Sequence, residues 1–223
     1  MTNAVPSLVC FAVKEEASYF RQLAGRRPGI QILLTGMGRH NAEKAVEAAF
    51  ANGLPRRVIT AGFAGGLVPE LETGVVVFSG DKEVGIEPAL LAAGARPVRF
   101  HCAERVVTTA EQKRTLHEKT GTEAVEMESE YIQSLCRARK VPVATVRVIL
   151  DTVSEDLVLD FNQILTVDQR IDGRKLAVAL LKSPSKISAL LRLQKQSAAA
   201  AKRLGEVLGR VMLIESSRNP GVE

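Results

Sequence analysis

The chain has 223 residues, of which 46% are hydrophobic, 25% charged and 4% aromatic. This balance is typical of a globular protein and excludes a fibre or a disordered chain. A chain of this length buries roughly 70% of its unfolded surface, so it needs no disulfide or structural metal. The net charge of +5 does not indicate a nucleic-acid groove, because the excess lies in residues 182–223 and the chain has no Trp and only two Tyr to stack on bases.

The cysteine and histidine residues predict neither a disulfide nor a metal site. Cys10, Cys102 and Cys136 are far apart and form no CxxC pair, and the three histidines show no metal-ligand spacing. The first apolar run is broken by charged residues at 14–16, so it is predicted to be a strand and not a signal peptide. No stretch approaches the roughly 18 to 20 apolar residues of a membrane span. We expect a cytoplasmic protein without a metal or cofactor.

Apolar and helical segments alternate along the first two thirds of the chain. The predicted strands are SLVCFAV, IQILLTG, RRVITAG, GVVVFSG and VPVATVRVIL. The predicted helices cover residues 15–24, 40–52, 110–120 and 128–140. This alternation predicts one α/β domain over residues 1–223, a three-layer α/β/α sandwich around a central mixed, largely parallel sheet.

The pattern after Asp160 is mainly helical, and Ser183 and Pro184 are predicted to separate two helices. The second, at about 184–212, carries an apolar face and is basic elsewhere. That face consists of Ile187, Leu190, Leu191, Ala198, Ala201, Leu204, Leu208, Val211 and Met212. We expect this helix to pack on the sheet with a solvated basic side. Contact with anionic lipid stays open, because basic amphipathic helices also bind such head groups.

Two glycine turns stand at predicted strand ends. They are TGMGRHNA, with Gly36 and Gly38, and AGFAGGL, with Gly62, Gly65 and Gly66. The first is not a dinucleotide fingerprint, because Asn41 stands where the third glycine belongs. Backbone N–H groups of such turns bind anions or hydroxyls, so Gly36, Gly38 and the adjacent Arg39 are candidate phosphate ligands. The alternative is that these glycines serve turn conformation alone.

Carboxylates also cluster where predicted strands end. Glu15 and Glu16 follow the first strand, Glu126 and Glu128 lie in AVEMES, and Asp151 closes VPVATVRVIL. Ligands of open α/β sheets bind outside the carboxyl ends of the strands, so these side chains are expected to converge on one cleft. Taken singly, each also fits a helix-terminal or turn charge.

Five motifs, in this order and spacing, resemble the nucleoside phosphorylase and nucleosidase superfamily: VKEEA, TGMGRHNA, GFAGGL, AVEMES and RVILD. The pattern is most similar to the adenosylhomocysteine and methylthioadenosine nucleosidases. The stretch TTAEQKRTLHEKTGTEAVEMES and the basic tail resemble the hopanoid-associated nucleoside phosphorylases. The resemblance covers roughly residues 8–165. It implies a phosphorylase/hydrolase-like fold, cleavage of the N-ribosidic bond of a purine nucleoside, with adenine as the expected base, and a homodimer or higher homo-oligomer.

The resemblance also implies roles for individual residues. Glu16 matches the glutamate that activates the attacking water, and Asp151 matches the aspartate that protonates the purine at N7. Met127 and Glu128 match the pair beneath the ribose. Further substrate-binding positions are Glu126, beside that pair, and the loop residues Phe63, Ala64 and Gly65.

The reaction accounts for these residue types on its own terms. Cleavage builds positive charge on the sugar and negative charge on the departing base, so a site needs an acid for the base and anions for the sugar. Asp151 must then hold a proton near neutral pH, which requires a pKa raised by burial or by a neighbouring carboxylate. Glu128 would bind the sugar more strongly as its charge develops.

Departures from the nucleosidase pattern leave alternatives open. Phe63 and Leu150 stand where serines are usual, and residues 105–107 lack the stacking aromatic. The strand ITAG lacks the arginine of related phosphorylases, which favours water as the nucleophile. Arg39, or Arg56 and Arg57, could still meet a phosphate, so phosphorolysis of an adenosyl lipid remains an alternative. A non-catalytic nucleoside-binding protein is the other alternative, although a pure binder has no need of both acid and base.

Overall fold

The computed structural model describes residues 6–24, 27, 29–157, 162, 166 and 185–218. It contains an eight-stranded sheet. The strands are β1 (Ser7–Phe11), β2 (Ile30–Leu34), β3 (Arg57–Gly66), β4 (Val76–Gly80), β5 (Arg96–Pro97), β6 (Phe100–Cys102), β7 (Ala124–Glu126) and β8 (Val143–Asp151). All five predicted strands are present. The sequence did not predict β5, β6 and β7, because two or three residues are too few to show a strand periodicity.

The sheet is mixed and largely parallel, as the sequence predicts. Its main path has the order β2-β1-β3-β8-β4-β5. β1 is parallel to β2 and β3, and β3 is parallel to β8, whereas β4 runs antiparallel to β8. β7 pairs antiparallel with Gly65 and Gly66 at the end of β3 and carries β6 beside it. The carboxyl ends of β1, β3 and β8 therefore share one edge of the sheet, with β7 alongside.

Six helices flank the sheet within the described ranges: α1 (Lys14–Ala24), α2 (Arg39–Ala51), α3 (Glu87–Ala92), α4 (Ala110–Thr120), α5 (Ser129–Ala138) and α6 (Ser185–Arg218). The four helices predicted before residue 141 are confirmed to within two residues at each end, whereas α3 was not predicted. α4 begins with a capping box formed by Thr109 and Gln112 and ends at Gly121, whose φ of 66° suits glycine.

Alternate residues of β1 show that the sheet is the middle of three layers. Val9 and Phe11 belong to a core shared with α1 and α6, whereas Leu8 and Cys10 pack with α2 and α5 on the other face. Successive strand residues point to opposite faces, so one strand contributes to both cores. The three-layer sandwich predicted from the sequence is confirmed.

α6 packs on the sheet along only part of its length. It begins directly after Pro184 as predicted, and Leu204, Leu208 and Val211 are fully buried. The predicted apolar face is wrong at its beginning, because Ala198 is exposed and Ile187 and Leu191 are 47% and 55% exposed. A helix of 34 residues is about 51 Å long. It extends beyond the nine residues of β8, which span about 30 Å.

The other helix predicted after Asp160 falls outside the described residues. Among the helices that are described, none has both the length and the hydropathy needed to cross a membrane.

Candidate active site

The carboxylate of Glu16 lies in the first turn of α1, held by backbone N–H groups at the ends of two strands. Its Oε2 accepts hydrogen bonds from Ala12 (3.0 Å) and Val13 (3.2 Å), and its Oε1 accepts one from Phe63 (2.8 Å). Gly62 leaves the space that this carboxylate fills, since a Cβ atom there would lie 2.5 Å from Oε1. Glu16 is therefore fixed at the edge of the sheet and buried.

Glu126 and Glu128 lie where β7 turns into α5, and they have different partners. Glu128 accepts a hydrogen bond from the backbone N–H of Gly38 at 2.9 Å. Glu126 accepts four, from the N–H of Glu128 (3.0 Å), the N–H and Oγ of Ser129 (2.8 and 2.7 Å) and Nη2 of Arg147 (2.8 Å). A carboxylate offers about four acceptor positions. Glu126 therefore holds the backbone at Glu128, and its contact with substrate stays a prediction.

Arg147 was not among the predicted site residues. It lies in β8, directly opposite Gly62 of β3, and only 2% of its surface is exposed. Nη2 lies 2.8 Å from Glu126 and 4.0 Å from Glu128, whereas Nε and Nη1 are buried and have no hydrogen-bond partner among the described residues. Its charge also acts on Glu16. Arg147 is therefore a counter-charge shared by Glu16, Glu126 and Glu128.

The three carboxyl groups differ in their affinity for a proton. Burial and the charge of Glu126 raise the pKa of Glu128 to about 7, although Arg147 opposes the shift. Burial also raises the pKa of Glu16. Burial acts in the same sense on Glu126, but Arg147 and the Ser129 hydroxyl outweigh it and lower the pKa of that carboxyl. Glu126 is therefore the permanent anion of the set, and Glu128 titrates close to neutral pH.

Asp151 ends β8 and pairs with Lys113, which was not among the predicted site residues. Nζ of Lys113, in α4, lies 2.5 Å from Oδ2 of Asp151. The lysine side chain is completely buried and also donates to the carbonyls of Thr152 and Glu155, both at 2.7 Å. Burial raises the pKa of Asp151, whereas the charge of Lys113 opposes that shift.

Two glycines of β3 place Asp151 on the same edge of the sheet as Glu16. A Cβ atom at Gly65 would lie 3.3 Å from Oδ2 of Asp151, as one at Gly62 would meet Glu16. The strand pairing shifts at this point, so Gly65 pairs with Asp151 and Leu150 is the extra residue of a bulge. Bulges re-aim side chains next to functional sites. Positions 62 and 65 are about 10 Å apart along β3, and the lining of the cavity beside Asp151 includes neither Glu16 nor Glu128.

A cavity of about 250 Å³ adjoins Asp151. Its walls are formed by the end of β8, the segment that follows it and the beginning of α6. The lining residues are Leu150, Asp151, Glu155, Asp156, Leu157, Ala189, Arg192, Leu193 and Gln196. The early part of α6, which does not pack on the sheet, thus forms a wall beside the predicted acid.

The residues predicted for phosphate have other partners. The N–H of Gly38 binds Glu128, and a Cβ atom at Gly36 would lie 2.9 Å from Asn41, so the tight turn requires glycine there. Arg39 is exposed, pairs with Glu43 at 3.1 Å and stacks on Tyr131. The N–H of Gly38 in the first glycine turn therefore binds a carboxylate of the chain itself, and phosphate binding by Gly36, Gly38 and Arg39 stays a prediction.

Arg57 lies at the other end of β3 from Gly62. It is buried, donating from Nε to the Ser7 hydroxyl at 2.9 Å and from Nη1 to the Val84 carbonyl at 2.7 Å. These contacts hold Arg57 at the beginning of β3, away from the carboxyl edge of the sheet. Of the remaining predicted residues, Ala64 is buried beside Gly65, and Phe63 and Met127 are half-buried at the same edge of the sheet.

Comparison with known proteins gives one family and several similar folds. Residues 12–85 and 87–182 match the phosphorylase superfamily. The fold is similar to futalosine hydrolase of Helicobacter pylori (15% identity, TM-score 0.64), with 92% of this chain and 97% of that chain covered. It is also similar to a 5′-methylthioadenosine/S-adenosylhomocysteine nucleosidase from Colwellia psychrerythraea, solved in complex with adenine (15% identity, TM-score 0.68), with 94% of this chain and 95% of that chain covered. A third similar structure is the nucleosidase of the same name from Neisseria meningitidis, in complex with methylthio-immucillin-A (18% identity, TM-score 0.63). The match covers 92% of this chain and 99% of that chain.

Proposed function

The chain belongs to the phosphorylase superfamily, and we propose that it hydrolyses the N-ribosidic bond of a purine nucleoside and releases the free base. One observation carries the proposal: Glu126 and Glu128 lie 2.8 and 4.0 Å from the guanidinium of Arg147 at the carboxyl edge of the sheet, and the charge of Arg147 also acts on Glu16. This set keeps a net negative charge when its carboxyls are ionised. Such a site favours a sugar that becomes positively charged as its bond to the base breaks.

The sugar binds to Glu128 in this proposal. Glu128 is held by Gly38 through one oxygen only. Its other oxygen, 4.0 Å from Arg147, is available for a ribose hydroxyl. Met127 packs beneath the ring. The hydrogen bond to the hydroxyl strengthens as positive charge develops on the sugar, so the interaction favours the transition state over the bound substrate.

Glu16 and Arg147 act on the attacking water. Buried polar groups in proteins are almost always hydrogen-bonded, so the unpartnered Nε and Nη1 of Arg147 imply a polar molecule beside them. A water there donates to Glu16 and accepts from Arg147. Glu16 takes one proton from this water as its oxygen attacks C1′ of the sugar.

Asp151 protonates the leaving base. It faces the cavity that contains Arg192 and Gln196 of α6, and we place the base against this wall. A base that is protonated by Asp151 leaves as a neutral molecule, which is a far better leaving group than the anionic base. General acids of this kind contribute on the order of 10² to 10⁴ in rate. We expect adenine as the base, since one of the similar structures holds adenine.

Electrostatics favours water over phosphate as the nucleophile. Two like charges 4 Å apart repel by about 4 kcal/mol near a protein surface, so three carboxylates opposed by one guanidinium disfavour a phosphate anion. Phosphorolysis, including that of an adenosyl lipid, is the second candidate. The two unpartnered N–H groups of Arg147 favour it, since guanidinium N–H groups bind oxyanions well.

Product analysis decides among the candidates. Purified protein is incubated with adenosine, inosine, methylthioadenosine and adenosylhomocysteine, with and without phosphate, and the base and sugar products are quantified. We expect free base and free sugar at a rate that phosphate does not change. Ribose 1-phosphate, formed only with phosphate, would establish phosphorolysis. Binding of a nucleoside without base release would indicate a non-catalytic binding protein. The Glu16→Gln variant controls for contaminating nucleosidase, and Glu15→Gln, at the exposed neighbour, is its matched control.

A further inference from the structure

Lys113 is a completely buried lysine bonded to the proposed acid, and the reaction above assigns it no part. We propose that Lys113 is a positioning residue for proton donation: it holds the Asp151 carboxyl so that one oxygen faces the base, and it stabilises the carboxylate that forms as the proton leaves. This inference rests on the proposed cleavage of an N-ribosidic bond.

The hydrogen bonds of Lys113 match an ammonium group. An ammonium has three N–H donors and no acceptor. Nζ meets three oxygens, Oδ2 of Asp151 at 2.5 Å and the carbonyls of Thr152 and Glu155 at 2.7 Å each. A neutral amine would direct its lone pair at one of these oxygens. A buried ammonium is costly unless its donors are hydrogen-bonded, and here each of the three N–H groups has an oxygen to meet, so this part of the fold suits the charged form.

The partners of Lys113 are themselves held in place. The side chain of Glu155 accepts from the N–H of Thr152 at 2.8 Å, and Asp156 accepts from the N–H of Ala110 at 2.7 Å, in the first turn of α4. α4 and the segment after β8 therefore grip each other from both sides. The carbonyls that bind Lys113 are therefore held in place, and they keep its Nζ beside Asp151 before substrate arrives.

One oxygen of Asp151 remains for the base. Oδ2 is bound to Lys113, whereas Oδ1 has no hydrogen-bond partner in the part of the chain that the structure describes, and 16% of the side chain is exposed. The charged groups around this carboxyl are Lys113 from α4, Glu155 and Asp156 from the following segment, and Arg192 from α6. Of these, Lys113 is the cation in direct contact.

The proposed reaction moves one proton from Asp151 to the base and one from water to Glu16. As the bond between C1′ and the base nitrogen breaks, its electron pair stays on the base, and the proton of Asp151 moves to that base. Asp151 becomes a carboxylate paired with the Lys113 ammonium, which keeps its three protons throughout. Water bonds to C1′ and gives one proton to Glu16. That proton passes to solvent, and solvent returns one to Asp151 after the base leaves.

Lys113→Met tests the proposal with two substrates. Methionine keeps a long unbranched side chain without the charge, and Lys119→Met, on an exposed residue of the same helix, is the matched control. The substrates are the purine nucleoside cleaved by the wild type and 4-nitrophenyl riboside, whose leaving group needs no proton. We expect kcat on the nucleoside to fall about 100-fold with KM nearly unchanged, and cleavage of the nitrophenyl riboside to stay within about threefold of wild type.

The pH profile adds a readout that a purely structural lysine would not move. Without the cation, burial and the charge of Glu155 together raise the pKa of Asp151 unopposed, so the alkaline limb of kcat/KM on the nucleoside moves to higher pH in Lys113→Met. Equal losses on both substrates, undiminished cleavage of the nucleoside, or an alkaline limb that does not move would overturn the proposal. Wild-type protein that cleaves neither substrate would instead remove the proposed function.

A measurement on the wild type covers the case in which Lys113→Met does not fold. Nuclear magnetic resonance of protein labelled at lysine Nζ and aspartate Cγ follows both groups in one titration. The proposal requires Lys113 to remain an ammonium over the pH range in which Asp151 changes its protonation. A neutral Lys113 at pH 7 contradicts it.

Discussion

The carboxylate of Glu128 accepts a hydrogen bond of 2.9 Å from the backbone N–H of Gly38, 90 residues earlier in the chain. Gly38 precedes α2 with a φ of 77°, which favours glycine, and its N–H lies at the N-terminus of that helix. This hydrogen bond connects the N-terminus of α2 to the turn between β7 and α5. It also uses, for a side chain of the protein, the N–H group that the sequence had suggested for phosphate.

The titration of Glu128 predicts a rise of activity with pH. Its pKa is raised to about 7, so the carboxyl is mostly protonated below that pH and ionised above it. Only the ionised form provides the negative charge that stabilises the sugar cation. We therefore expect kcat/KM to increase with pH as Glu128 ionises, through about 7, and to fall again only on the alkaline limb where Asp151 loses its proton. Initial rates between pH 5 and 8.5 measure this limb.

The Glu128→Gln variant identifies the group responsible for that limb. Its amide oxygen still accepts from Gly38, so the turn is retained while the titrating carboxyl is lost. We expect lower activity and an acidic limb displaced to lower pH. Glu130→Gln, at an exposed residue of α5, should keep the wild-type profile. A Glu128→Gln profile with the same limb as wild type would assign the titration to another group.

Gly62→Ala is expected to displace the catalytic base. The new methyl group would lie 2.5 Å from Oε1 and 2.8 Å from Cδ of Glu16, distances that Cβ contacts do not reach. Glu16 must move and loses its hydrogen bond to Phe63. We expect kcat to fall by about 10² or more, which is the usual contribution of a proton-transfer group.

Gly65→Ala is the graded comparison for that substitution. There the new methyl group lies 3.2 Å from Val125 and 3.3 Å from Asp151, a contact that small shifts relieve. We expect a smaller loss of kcat than in Gly62→Ala, with both proteins folded by circular dichroism. If Gly62→Ala were as active as wild type, Glu16 would not be the base at the position described.

The main elements of the fold could be predicted because each has a local cause. Each of the five predicted strands is a long apolar run that packs on both faces of the sheet. The motifs suggested a family, and the match to the phosphorylase superfamily confirms it, together with an enzyme of the nucleosidase or phosphorylase class. Elements such as β7, with three residues, depend on pairing with β3 and leave no pattern of their own. The first residues of the apolar face of α6 were predicted to be buried but are exposed, because the apolar periodicity of the helix continues beyond the end of the sheet.

The candidate site was predictable only in part, for a related reason. Resemblance singled out Glu16, Glu128 and Asp151, but the charges that balance them are set by tertiary contacts. Arg147 did leave a signal, since a lone arginine within an otherwise apolar buried strand needs an internal anion. Lys113 left none, because it lies between Gln112 and Arg114 in a polar helix whose buried face the sequence does not define.

Asp151→Asn should cost turnover with little loss of stability. The amide cannot donate an acidic proton, so we expect kcat to fall by about 10² to 10⁴. Because the proposed acid carries its proton before the reaction, a neutral amide replaces a neutral carboxyl, and the amide oxygen can still accept from Nζ of Lys113. We therefore expect Tm to stay within about 4 °C of wild type. Full activity would contradict the role of Asp151, and a larger fall of Tm would indicate that Asp151 is ionised beside Lys113 before the reaction.

Arg147→Met should destabilise the protein more than any other single change at the site. The guanidinium lies 2.8 Å from Glu126 and is 2% exposed, so its removal leaves buried carboxylates without a counter-charge. Breaking a buried pair in this way costs about 3–5 kcal/mol, which urea unfolding resolves. Arg137→Met, on the exposed side of α5, should stay within about 0.5 kcal/mol of wild type.

Arg147→Lys separates the charge of this residue from its hydrogen bonds. An ammonium retains one positive charge beside Glu126 but lacks the planar set of donors that includes Nε and Nη1. We expect part of the lost stability to return while kcat remains low, because the attacking water is no longer held. If Arg147→Lys restored activity in step with stability, the guanidinium would act through its charge alone, and the two unpartnered N–H groups would have no part in binding the nucleophile.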